Sequence, residues 1–100
     1  MKGNFNEIIK EAMPVVVDFH ATWCGPCKAQ APILSELASE MSDQIKVIKI
    51  DVDHNGELAG RYGIRSVPTL MVFKNGEIKY QQAGVHSKSQ LKGILAPMLS

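Results

Sequence analysis

The chain has 100 residues, with 11 basic and 10 acidic side chains and a formal net charge of +1. That length suits one compact domain over residues 1–100 rather than two. The even charge balance, with no block of one sign, argues against electrostatic capture of nucleic acid or of an acidic membrane. No stretch approaches the ~18 apolar residues of a membrane span, and residues 1–7 hold no apolar core of an export signal. A soluble, cytoplasmic protein is expected. Two cysteines are too few to staple a secreted scaffold, and three positions apart they point instead to redox chemistry.

Asn4 with Glu7 has the pattern of a capping box, and Phe5, Ile8, Ile9 and Ala12 recur at helical spacing until Pro14, which predicts a short first helix. Val15 to Phe19 is a β-branched run with little polar alternation, as in a central strand covered on both faces. Ile33, Leu34, Leu37, Ala38 and Met41 keep a helical period, with a kink expected at Pro32. Ile45 to Val52 reads as a second strand, and Asn55 is placed to cap a short helix that Gly63 ends in the left-handed conformation. Thr69 to Phe73 and Ile78 to Tyr80 flank Asn75-Gly76, a strong hairpin signal because both turn residues tolerate positive φ. Ser87 with Gln90 forms a second capping box before the apolar stripe Leu91, Ile94, Leu95 and Met98. The order α-β-α-β-α-β-β-α implies an α/β fold with a mixed sheet and helices on both faces.

Trp23-Cys24-Gly25-Pro26-Cys27 falls where the central strand ends and a helix begins. The unpaired N–H groups and partial positive charge of a helix N-terminus favour a thiolate over a thiol. Cys24, the outer residue, is thereby placed as nucleophile, and Cys27, one turn in and more buried, as the resolving thiol. Gly25 leaves the approach open, and Pro26 sits early in the helix where its missing N–H costs little; residues between the cysteines tune the redox balance. A structural disulfide, half of a zinc site and two unconnected core cysteines are the competing readings. Zinc is disfavoured because His20, His54 and His86 are scattered without paired ligand spacing, so no metal is expected. Asp18 interrupts an apolar strand, where burial would raise its pKa; a hydrogen-bonded structural carboxylate is the plainer reading.

The Trp23-Cys24-Gly25-Pro26-Cys27 segment resembles the active-site motif of the thioredoxin family. The similarity extends from about Phe5 to the C-terminus through Val17-Asp18-Phe19, Lys49 with Asp51 and Asp53, Tyr62-Gly63-Ile64-Arg65, Val67-Pro68-Thr69, Phe73-Lys74-Asn75-Gly76 and Gly84. The resemblance implies a thioredoxin fold, three layers α/β/α around a mixed sheet. It implies general reduction of disulfide-containing proteins, with re-reduction by a thioredoxin reductase using NADPH, and no bound cofactor beyond a redox-active Cys24–Cys27 disulfide. It further implies that Asp18 takes the proton of Cys27, that Lys49 lies near Asp18, and that the Val67–Pro68 bond is cis and faces the cysteines. Trp23, Gly25, Pro26, Val67, Pro68, Ala83, Gly84 and Val85 would surround the exposed sulfur as a weakly polar docking face.

Plainer readings stand beside these: Lys49 as a solvated strand lysine, Pro68 as a strand-start proline and Trp23 as a packing residue. Two positions depart from the family pattern. His20 stands where many thioredoxins have tryptophan, and Ser66 where glycine is common. The family's first strand has no counterpart, so about four strands are expected, with an exposed sheet edge. The competing functions are an oxidase or isomerase of an oxidising compartment and a partner-docking module whose turnover is incidental. A monomer is the expected state.

Overall fold

The computed structural model describes residues 4–99. Residues 1–3, part of the stretch read for an export signal, and residue 100 lie outside the described residues. The elements are α1 (Phe5–Ile8), β1 (Val15–His20), α2 (Gly25–Glu40), β2 (Lys46–Asp51), α3 (Gly56–Arg61), β3 (Thr69–Lys74), β4 (Glu77–Ala83) and α4 (Lys88–Leu95), with a 3₁₀ turn over Ala96–Met98. The four strands run in the order β2-β1-β3-β4. β1 pairs parallel with β2 and antiparallel with β3, and β3 pairs antiparallel with β4. The mixed four-stranded sheet expected from the sequence is present.

Alternation along the central strands divides the core in two. Val16, Leu70 and Val72 pack against Leu34 and Leu37 of α2 and Leu91 and Leu95 of α4. Val15, Val17, Phe19, Met71 and Phe73 pack on the opposite side against Phe5 and Ile9, with Leu58 and Tyr62 beside them. Helices therefore cover both faces, which explains why β1 and β3 are buried at nearly every position and mostly apolar. Each fully buried leucine or phenylalanine contributes about 1.5–3 kcal/mol relative to an exposed one.

Local chemistry sets the element ends, with some differences from expectation. Asn75 (φ 55) and Gly76 (φ 81) make the tight turn between β3 and β4. Ser87 and Gln90 close a reciprocal capping box on α4. At Asn4 the box is not closed: its side chain accepts from Asn6, while the Glu7 N–H is taken by the Asn4 carbonyl. α1 also stops at Ile8 rather than continuing toward Pro14. The Ile9 and Glu11 carbonyls beyond it accept from the N–H groups of Gly76 and Asn75, so the hairpin turn takes acceptors that a longer helix would use. Asn55 occupies the N-cap position of α3, but its side chain turns back to the Asp51 carbonyl at 3.0 Å and makes no cap bond. Gly63 follows α3 in the left-handed region, at φ 64. α2 is continuous from Gly25 to Glu40, with Pro32 inside it.

An ion-pair cluster ties α2 to α4 at the surface: Lys88 Nζ reaches Glu36 at 3.1 Å and Glu40 at 2.5 Å, and Lys92 Nζ reaches Glu40 at 2.6 Å. Hydrogen bonds from Lys88, then Lys92, lower the Glu40 carboxyl from its ordinary 4.5 to about 2. A folded-state pKa below the unfolded one stabilises the fold above the unfolded value, and that contribution is lost as pH falls toward about 2. Solvent screening keeps the gain small. We predict that a carboxyl-carbon NMR titration places the Glu40 midpoint near 2 and that replacing both Lys88 and Lys92 by alanine moves it back toward 4.5. A wild-type midpoint already at the ordinary value would contradict the network.

Candidate functional site

β1 leaves the sheet at His20, and four residues later Cys24 caps α2 in an extended conformation, with φ −89 and ψ 113. Its Sγ accepts from the backbone N–H of Cys27 at 3.1 Å, as a serine or aspartate oxygen does at an ordinary N-cap. Gly25 is the first helical residue and Pro26 the second, where proline loses no intrahelical bond. Cys24 and Cys27 are disulfide-bonded, with their Cα atoms 5.3 Å apart. A pair placed across the first turn of a helix holds two electrons as a dithiol and gives them up when it closes to the disulfide.

Exposure does not separate the two cysteines in the way expected. Cys24 is 3% exposed and Cys27 is 5% exposed, because Ala21, Val52 and Val67 pack around the bonded pair. What distinguishes them is the helix: Cys24 stands at the N-cap, facing the free N–H groups, and Cys27 lies inside the first turn.

The Val67–Pro68 bond is cis. The Val67 carbonyl lies 3.5 Å from Cys24 Sγ, so this loop is directly against the disulfide. The Pro68 carbonyl in turn accepts from the Gly84 N–H at 2.8 Å, which draws the end of β4 to the same place. Gly84 has φ 102, a conformation that L side chains rarely adopt. Val85, next to it, is 44% exposed. Trp23 is 69% exposed, which removes the packing reading, and its indole N–H donates to Asp53 Oδ2 at 2.8 Å. Between them Trp23, Val52, Ile64, Arg65, Ser66 and Val67 line a mainly apolar cleft of about 120 Å³.

Asp18 is 1% exposed, on the sheet face covered by α2. Its Oδ1 has no hydrogen-bond partner among the described residues, against the hydrogen-bonded structural reading. Burial pushes its pKa above the ordinary 3.8, partly opposed by the nearby His20 and Lys49. Lys49 is the register partner of Asp18 on β2 and is itself exposed, so it is both solvated and close in charge. His20, two residues along β1 on the Asp18 face, is half-buried. Among the described residues no group of three or more His, Cys, Asp or Glu side chains is arranged to hold a metal ion.

Sequence reasoning missed Asp53 as the anchor of Trp23, and it missed Gln30 and His86, both buried and hydrogen-bonded to each other. Gln30 had one signal: a polar residue on the buried stripe of α2, one turn after Cys27 and one before Leu34.

Comparison with known proteins gives the same picture. The family model described as thioredoxin matches residues 1–96. The thioredoxin of Bacillus subtilis strain 168 is 51% identical over 81 residues, 81% of this chain and 78% of that protein. The thioredoxin of Rickettsia prowazekii strain Madrid E is 48% identical over 86 residues, covering 86% and 82% of the two chains. A solved structure described as a malarial protein superposes with a TM-score of 0.82 at 26% identity, over 88% of this chain and 99% of that one. The chain belongs to the thioredoxin family, the oxidoreductases of protein disulfides, with Cys24 and Cys27 as its redox-active pair.

Proposed function

We propose that the chain works as a general protein-disulfide reductase in which Cys24 is the attacking thiolate and Cys27 resolves. The observation that carries the assignment is the Cys27 N–H aimed at Cys24 Sγ, 3.1 Å away, at the start of α2. In the reduced protein the same N–H and the helix dipole favour negative charge on Cys24. Its thiolate attacks one sulfur of a substrate disulfide, forming a mixed disulfide and expelling the other sulfur as a thiolate, which is then protonated. Cys27 loses its proton and attacks Cys24 Sγ, releasing the second substrate thiol and leaving Cys24–Cys27 oxidised. Two electrons have passed to the substrate, and a thioredoxin reductase fed by NADPH returns them.

Asp18 is the base for Cys27 in this scheme. A carboxylate kept out of water beneath α2 has a raised proton affinity, which suits it to take a proton from a thiol. Lys49 and His20 limit how far that affinity rises. Substrate docks as an extended segment along Val67 and Pro68, beside Trp23, Gly84 and Val85. Backbone pairing over a shallow apolar face gives modest affinity and little sequence discrimination, which suits turnover on many proteins. Gly25 and Pro26 tune the balance between dithiol and disulfide. The chain acts as one domain and as a monomer in the cytoplasm, carrying electrons from its reductase to disulfide-containing proteins in redox homeostasis, with no bound cofactor.

The test is insulin-disulfide reduction with dithiothreitol as electron source. Wild type should accelerate it, Cys24→Ser should abolish the acceleration, and Cys27→Ser should stall as a mixed disulfide through Cys24. No acceleration by wild type would turn the reading toward a partner-docking module.

Asp18 yields two further predictions. Because its folded-state pKa is raised, the fold binds this proton more tightly than the unfolded chain, and the contribution is fully present below the ordinary 3.8 and lost as pH rises through the folded value. Asp18→Asn should therefore melt close to wild type in acid and progressively above it as pH increases. A gap that is constant or reversed would contradict the burial argument. In single turnover, Asp18→Asn should slow resolution of the mixed disulfide near neutral pH more than its formation; equal slowing would remove the carboxylate from proton transfer.

A further inference from the structure

Beyond the cysteines, α2 carries a second chemical connection to the docking face. Gln30, one turn after Cys27, is 0% exposed and pairs with the backbone of His86 at both ends of its amide. Its Oε1 accepts from the His86 N–H at 2.7 Å, and its Nε2 donates to the His86 carbonyl at 3.0 Å. The His86 ring, also buried, continues the chain: Nδ1 lies 2.9 Å from the Gly84 carbonyl and Nε2 lies 2.7 Å from the Tyr80 hydroxyl. A carbonyl only accepts, so Nδ1 carries hydrogen, and in the neutral ring Nε2 accepts from Tyr80. The Gly84 peptide is thus held twice, by His86 at its carbonyl and by the Pro68 carbonyl at its N–H.

The linkage starts on the helix that carries the redox pair, and it ends at Gly84, beside the exposed Val85 and in direct contact with the cis-Pro68 loop. Apolar side chains would fill the same space at lower desolvation cost. A fully satisfied buried polar network contributes a single defined geometry more than it contributes stability. From this we infer that Gln30, His86 and Tyr80 are positioning residues that hold the Gly84–Val85 segment at a set distance from Cys24, and so determine how efficiently the protein accepts disulfides within folded or extended polypeptides as opposed to small ones. The inference deepens the proposed function and rests on its reading of Gly84 and Val85 as substrate contacts. None of the three touches the sulfurs in this scheme, so a disulfide too small to reach Val85 is insensitive to them.

The test uses the fully reduced protein without recycling, and compares second-order rate constants for insulin and for hydroxyethyl disulfide. His86→Leu should lower the insulin constant about tenfold, the order expected when an ordered buried hydrogen bond is lost, and leave the small disulfide within about twofold. His86→Asn, whose side-chain N–H can still reach the Gly84 carbonyl but which loses the Tyr80 link, should restore the insulin constant to within about threefold of wild type. Tyr80→Phe removes only the last link and should cost insulin about threefold, and it carries the test if His86→Leu does not fold. Equal losses on both disulfides, an unchanged insulin constant in the folded variants, or no recovery in His86→Asn would overturn the inference. Val85→Asp separates the two layers. If it slows insulin while His86→Leu does not, the positioning network fails and the docking face stands. If Val85→Asp leaves insulin untouched, the docking-face reading itself fails, and the inference with it.

Discussion

The N–H of Cys27 pointing at Cys24 Sγ is a small contact, but the placement of the site follows from it. A sulfur can occupy an N-cap only if the chain arrives extended and turns directly into helix, and β1 ending at His20 delivers the chain in that way. β1 in turn holds its position because it is paired on both edges and covered on both faces. The buried strand therefore fixes where the helix dipole begins, and in the proposed mechanism the dipole selects which sulfur of the reduced pair carries charge. Chemistry at Cys24 is in this sense a property of sheet packing.

The same burial carries a cost at Asp18. A carboxylate on β1 beneath α2 loses hydration, and Asp18 Oδ1 regains no hydrogen bond among the described residues. An apolar residue there would pack with less penalty. Keeping a carboxyl group in that position raises its proton affinity, a liability for stability and, in the proposed mechanism, an asset for accepting a proton from Cys27. The opposing influence of His20 and Lys49 sets the balance between the two.

Several features set by neighbouring residues were legible in the sequence, although the box read at Asn4 and the cap read at Asn55 do not close. Asn75-Gly76, Ser87 with Gln90, and the cysteine pair at a strand-to-helix junction all form as the pattern predicts, since each depends on a few backbone groups close in the chain. Features set by partners far along the chain were not. α1 is shorter than its periodicity suggests because the distant β3–β4 turn takes nearby carbonyls. β4 extends to Ala83, well past Tyr80, because pairing with β3 carries polar residues such as Gln81 and Gln82 that alone signal no strand. The cysteines are equally buried because Val52 and Val67, from two other segments, close over them. The Gln30–His86 pair joins residues 56 positions apart, beyond any local pattern.

In the proposed mechanism the start of α2 makes Cys24 the ionised, attacking sulfur. The most direct test is the ultraviolet absorbance of thiolate in the reduced protein, followed against pH in wild type and in Cys24→Ser. One thiol should titrate clearly below the ~8.5 of a free cysteine, and this step should disappear in Cys24→Ser. Two thiols titrating at or above that value, or a low step that survives the substitution, would contradict the mechanism.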